Sequence, residues 1–381
     1  MTDISLAQPW IDRRRHLWPI SLVVPSLALI AFALVELTGS AWFWWTGAVV
    51  IYGLVPLLDW WIGADRNNPP EAEVERLEND PWYRGVLLAT FPLQLLGTIV
   101  GVWAAVSTDL NPLQWLGLAV TVGIVSGGGI NTAHEWGHKR GRFADWMSKL
   151  SLAPAFYGHF HVEHNRGHHK NVATPDDPAS ARLGESYWAF LPRTMLGSLR
   201  SAWRIERERL AGQGRSACSL HNDNLQAWSL TLLLYGALIV VFGWMALPFL
   251  LAQALYGAAL LEAVNYIEHY GLLRRKDASG RFERCAPEHS WNSNQIVSNL
   301  MLYQLQRHSD HHANPRRAYQ TLRHFDDSPQ LPAGYAALIP VVYFPRFWFA
   351  LMDQRVLDHY QGDLARVNRQ PREKSRTPPS A

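Results

Sequence analysis

Residues 84–139 read RGVLLATFPLQLLGTIVGVWAAVSTDLNPLQWLGLAVTVGIVSGGGINTAHEWGHK, and no lysine or arginine stands between Arg84 and Lys139. A helix needs about 20 apolar residues to cross a bilayer. The stretch therefore has room for two crossings joined by a short turn at 107–111. The same pattern occurs twice more. Arg15 is followed by no lysine or arginine until Arg66, and Arg215 by none until Arg274. Working outward from 84–139, spans are expected near residues 19–39, 41–62, 84–106, 112–133, 228–248 and 250–270. The turns within each pair, at 39–40, 107–111 and 244–248, carry no lysine or arginine. Every basic residue thus falls on the other side, which the positive-inside rule makes the cytoplasm.

The expected fold is an all-α membrane protein: six transmembrane helices with a cytoplasmic helical cap that carries a histidine-rich dimetal site. Residues 1–18 form a cytoplasmic N-terminal segment and 19–270 the bundle, with a cytoplasmic insertion at 134–227. Residues 271–365 form a C-terminal cap and 366–381 a linker-like or disordered tail. The first span lacks the short apolar run and cleavage site of a signal peptide and reads as a retained anchor. Glu36 and Asp59 lie near span ends, where the interface tolerates them, whereas Glu262 and Glu268 fall within the sixth span, where a carboxylate is expensive. Segment 193–212 suits a helix on the membrane surface or a solvated cap helix. Segment 335–352, broken by Pro340, Pro345 and Arg346, reads as interfacial or cap core. Three buried hairpins of a soluble protein fit charge-free gaps of this length poorly.

A net charge of +3 gives no reason to expect a nucleic-acid partner. Two cysteines, Cys218 and Cys285, cannot make a disulfide framework or a four-thiolate iron site. The chemistry lies in the 16 histidines. Four clusters fall on the basic side: His134-Glu-Trp-Gly-His138, His164-Asn-Arg-Gly-His168-His169, His269 within NYIEHYG, and His308-Ser-Asp-His311-His312. Positions four apart share a helix face. So many imidazoles at one membrane face would stack positive charge if protonated, whereas coordination keeps them neutral. Imidazole suits zinc, copper, iron and nickel. Nine ligands exceed what one ion takes, so two ions are expected. A carboxylate diiron site needs two Glu-x-x-His pairs and further glutamates, but only Glu135 and His138 form such a pair. His134 to His138 also matches HExxH, the zinc-protease motif with Glu135 as base; that reading leaves the other clusters idle. A metal transporter would carry its histidines midway along the spans.

In NTAHEWGHK (131–139), EHNRGHHKNVATPDDPASAR (163–182), NYIEHYGL (265–272) and LQRHSDHHANPRRAYQTLR (305–323) the sequence resembles the alkane 1-monooxygenases, membrane non-haem diiron enzymes of the fatty acid desaturase and hydroxylase superfamily. With the six spans, the resemblance covers roughly residues 15 to 360. Desaturases and xylene-type hydroxylases share the histidine boxes and are the alternatives within the superfamily. The resemblance implies nine metal ligands: His134, His138, His164, His168, His169, His269, His308, His311 and His312. His159 and His161 fall outside the motif and read as structural; His16, His221, His289, His324 and His359 read as surface or core. Glu135, Asp177, Asn265, Glu268 and Asp310 are candidates to orient the imidazoles from behind. Trp136 stands where the family often has a smaller apolar residue.

The implied cofactors are two iron ions, with dioxygen as cosubstrate. The implied reaction turns the terminal carbon of an n-alkane into a primary alcohol, at the cytoplasmic face of a bacterial inner membrane. The implied partners are rubredoxin, itself reduced by an NADH-dependent reductase, the alkane and the lipid bilayer. Arg200, Arg204, Arg207 and Arg316 are candidates to dock an acidic rubredoxin. The tail is of a composition that in a longer chain would lead to a fused rubredoxin. Trp60, Phe91 and Glu262 are the candidates for lining a substrate channel.

Overall fold

The structure, a computed structural model, describes residues 10–369. Six helices are long and apolar enough to cross a membrane: α1 (Arg15–Thr38), α2 (Ala41–Ile62), α3 (Pro81–Ser107), α4 (Pro112–Gly137), α7 (Asp223–Phe242) and α8 (Ala246–His269). Between α4 and α7 lie α5 (Arg142–Leu152) and α6 (Tyr187–Ala211). After α8 come α9 (Ile296–Met301), α10 (His308–Ala313), α11 (Tyr335–Val342) and α12 (Pro345–His359). Among the described residues no strand forms, only isolated bridges.

The third and fifth spans begin earlier than their apolar runs because polar caps precede them, whereas the fourth begins at its expected edge. Asp80 accepts from the Trp82 N–H ahead of α3, and Asn111 builds a capping box with Gln114 ahead of α4. Asn222 accepts from the N–H groups of Asn224 and Leu225, so α7 starts at Asp223 rather than near 228. Gly243, at φ 82°, stops α7, and Pro248 falls in the first turn of α8 instead of in the connection.

The axis of the molecule is the α4–α8 contact. A side chain at Gly257 would sit 2.9 Å from the Gly123 carbonyl oxygen and 3.0 Å from the Gly127 nitrogen. Small residues at such spacing let two membrane helices approach backbone to backbone. The approach brings the ends of α4 and α8, with His134 and His269, to one place. Gly257→Ala is expected to destabilise the fold by about 1–3 kcal/mol through overpacking against rigid backbone; thermal unfolding in detergent reads the shift, and an unchanged midpoint would refute it.

The cap is built onto this end. Asp59, buried near the end of α2, accepts from the N–H groups of Val297 and Ser298, both at 3.0 Å, and so caps α9. The Arg307 guanidinium, 2% exposed, donates to the carbonyls of Leu322, Asp65 and Asn67 and ties α10 to the loop after α2. Segment 335–352 resolves into α11, whose Tyr335, Leu338, Ile339 and Val342 are buried, and the start of α12. Segment 193–212 belongs to α6, which packs one face onto residues 163–168 and exposes Leu196 and Leu199 on another. Residues 366–369, expected to begin the linker-like tail, are held against the body of the protein, with Asn368 bonded to Leu183 and Gly271. Residues 370–381 lie outside the described part.

Candidate metal centre

All nine histidines of the four clusters meet at one end of the bundle and form two groups. His134, His138, His164, His169 and His311 make one; His168, His269, His308 and His312 make the other. Local winding explains the division. On α4, His134 and His138 are four apart and face the same way. On α10, His308 and His312 are four apart and join one group, while His311 turns to the other. Residues Glu163–His168 are wound as a π-helix, closed by a bond from the His169 N–H to the His164 carbonyl. A π turn stacks residues five apart. His164 and His169 therefore share a group and His168 faces the second one. The Glu163 carboxylate packs over Gly167, where a Cβ would lie 2.5 Å from Oε1.

The nitrogens of the first group run in a chain of close contacts. His138 and His164 Nε2 are 3.1 Å apart, His164 and His169 3.0 Å, His169 and His311 3.0 Å, and His311 and His134 2.8 Å. Protons cannot satisfy such a chain, since each Nε2 carries either one hydrogen or one lone pair and the middle nitrogens would need both. Two nitrogens at right angles around an ion, each about 2.1 Å from it, stand about 3.0 Å apart. In the second group His308 and His312 Nε2 are 2.9 Å apart, while His168 Nε2 and both nitrogens of His269 are buried without a partner. A buried polar atom with no partner costs about 1–3 kcal/mol, which an ion between them removes. The donor sets fit two metal ions.

Burial keeps the rings neutral, as coordination requires. It pushes His138 down to about 3, with Lys139 adding to the effect. Burial and neighbouring imidazoles hold His164, His169, His308, His311 and His312 well below the usual histidine value. His168 differs. Burial lowers it, but Asp177 outweighs that, and its Oδ2 lies 2.9 Å from Nδ1. Asp177 thereby fixes the tautomer and turns Nε2 toward the second group. Asp177→Asn is expected to weaken metal binding in that group about 10–100-fold. Metal retained after dialysis against a chelator reads this, and full retention would contradict it.

The other four carboxylate and amide candidates sit differently. Glu268 Oε2 is 3.1 Å from His308 Nε2, so it borders the donor atoms rather than backing a ring. Asn265 donates to Glu262 at 3.2 Å. Asp310 accepts from Arg317, from Asn314 and from the Arg323 backbone and holds the turn after α10. Glu135 pairs with Lys139 at 3.6 Å. That contact occupies the carboxylate a zinc protease would use as base, and five histidines meet where such a site needs two. His161 is held at both nitrogens, by Ser148 at 3.0 Å and by Asp145 at 3.0 Å, and is structural. His159 is buried against Tyr157 and belongs to neither group.

A cavity lies within the bundle near the centre, lined by α1, α2, α4, α8, α9 and α11 together with the 302–305 turn. The three residues expected to line a channel do not line it. Trp60 is 78% exposed on the outside of α2. Phe91 packs toward the cluster that holds Trp18 and Tyr83. Glu262 accepts from Tyr157 at 2.7 Å and Thr194 at 2.8 Å and borders a separate polar pocket with His164 and His168. The residues that do line the cavity include cap side chains such as Met301, Leu305 and Ile339. No local pattern in the sequence marks these.

A bundle of six membrane-length helices crowned by two buried histidine groups defines a class, the membrane desaturases and hydroxylases, and the fatty acid desaturase family model matches residues 113–342. The relatives narrow this. Alkane 1-monooxygenase 1 of Alcanivorax borkumensis is 47% identical over 95% of this chain and 90% of its own length. Alkane 1-monooxygenase of Acinetobacter baylyi is 42% identical over 96% and 90%. The xylene/toluene monooxygenase hydroxylase component of Pseudomonas putida is 28% identical over 64% of each chain. The chain belongs to the alkane 1-monooxygenase family and is a monooxygenase of the desaturase and hydroxylase superfamily.

Proposed function

We propose that this protein hydroxylates the terminal carbon of n-alkanes to primary alcohols with dioxygen at a two-iron centre held by the nine histidines. Its electrons come from rubredoxin, kept reduced by an NADH-dependent reductase. The observation that carries this reading is the cavity. Among its lining residues only Asn131 and Ser298 bear polar side chains. Asn131, Val264 and Leu305 stand three to five residues before His134, His269 and His308, so the cavity has its inner end near the histidines without being lined by them.

An alkane offers no polar group to hold, and its orientation has to come from shape. A chain entering end-on presents its terminal carbon at the histidine end, and selectivity follows from alignment rather than bond strength. Each buried methylene contributes about 0.8 kcal/mol. The apolar walls also keep bulk water from the reacting bond. The iron, when bound, supplies the activation of dioxygen and the oxidation of the C–H bond. The protein's own part is to present the nitrogens, to fix His168 through Asp177, and to keep the rings neutral.

All four histidine clusters lie on the side that carries the basic residues, so the site faces the cytoplasm of a bacterial inner membrane. Arg200, Arg204, Arg207 and Arg316 are exposed there and suit a small, charge-steered interface with an acidic redox partner. The test supplies membranes bearing the protein with NADH, rubredoxin, its reductase and labelled dioxygen, with n-alkanes, xylene and a fatty acyl substrate offered together. Labelled primary alcohol from an alkane is the expected product. Unlabelled alkene from the acyl chain would make the protein a desaturase, and oxidised xylene with the alkanes untouched would make it an aryl-methyl hydroxylase.

A further inference from the structure

The π-wound segment that divides three histidines between the two groups has a handle. Arg166 lies within it, between His164 and His168. Its guanidinium donates to Glu206 Oε1 on α6 and, at 2.7 Å, to Asp223 Oδ2 at the start of α7. Glu206 is fully buried and also accepts two bonds from Arg209, both at 2.6 Å, and one from the Asp223 N–H at 2.8 Å. Asp223 is further tied to the buried Lys149 of α5 at 2.9 Å. The cluster is anchored on three helices outside the centre, and Arg166 is the group through which it grips the histidine segment.

We propose that Arg166, held by Glu206 and Asp223, is a positioning residue that keeps the 163–169 segment π-wound and so apportions its histidines between the two ions. A π turn is locally less favourable than an α turn and needs tertiary support. If the segment relaxed toward α winding, residues four apart would share a face and His164 would align with His168 instead of His169. The two groups are unequally exposed to this change. The first draws two of its five histidines from the segment; the second draws only His168, which Asp177 holds independently. Loss of the handle therefore empties the five-histidine group first. The inference rests on the reading that each group holds an ion.

The test is Arg166→Met in the full-length protein, purified with its metal. The Arg166 side chain is 37% exposed, and its removal leaves Glu206 with Arg209 and Asp223 with Lys149, so the fold keeps its buried partners. The expected result is a fall from two ions per chain to about one, with the spectrum of the remaining ion reporting the four-histidine set. Arg209→Met touches the same Glu206 but not the segment, and is expected to keep both ions. Two ions with an unchanged spectrum in Arg166→Met would overturn the inference. So would equal loss from both groups, or the same loss in Arg209→Met, since the cluster would then act through general stability. Fewer than two ions in the unsubstituted protein would instead overturn the reading of the metal centre on which the inference stands.

Discussion

His312→Ala is expected to abolish alcohol formation and to remove about one metal ion per chain. His312 belongs to the four-histidine group, is 5% exposed, and has its Nε2 2.9 Å from that of His308. Its loss leaves three histidines in a set that has no spare imidazole nearby. Removing a group that merely orients a ligand costs about 10–100-fold, and removal of the donor itself should exceed this. The substitution deletes a ring from the cap and leaves the α4–α8 contact untouched, so the protein should still insert and fold. Metal analysis, circular dichroism and product formation on the same preparation separate the two effects. Full activity with two ions would refute the assignment of His312.

Ile124→Trp is expected to shift the preferred alkane to shorter chains. Among the α4 residues that line the cavity, Ile124 is the furthest from His134, about 15 Å along the axis at about 1.5 Å per residue. A larger side chain there shortens the cavity from its far end and leaves the histidine end unchanged. Each methylene denied its site loses about 0.8 kcal/mol, or about fourfold in specificity. Exclusion of three methylenes would thus reduce kcat/KM for the longest substrates by about two orders of magnitude, while short chains keep theirs. Competition between n-alkanes of graded length in one reaction measures this. A uniform loss at all lengths would mean that the helix had moved, and an unchanged profile would mean that the alkane lies elsewhere.

Much of the fold was legible from charge alone. Long gaps without lysine or arginine can persist only where the chain avoids carrying cations into the bilayer, so all six spans stood out before any packing was known. Their edges were less legible, because Asp80 and Asn222 add about a turn of helix outside the apolar run. The histidine clusters were equally plain, since no other role needs that many imidazoles at one membrane face. That Trp60, Phe91 and Glu262 do not line the cavity was not legible in the sequence. Trp60 is large and lies in a span, but composition cannot tell a side chain that faces lipid from one that faces a cavity when both surroundings are apolar.

The sequence by itself determined the element types, the number of crossings and which histidines are available, because these follow from local composition and from spacing along one helix. Tertiary structure alone decided which histidines meet. The five-and-four division follows a π turn at 163–168, whose Arg166 reaches two other helices. It likewise decided the cavity, whose walls join α1, α2, α4 and α8 to cap residues that lie far off in the chain. Such contacts are set by close packing between distant segments, and that packing has no period along the chain from which to read it.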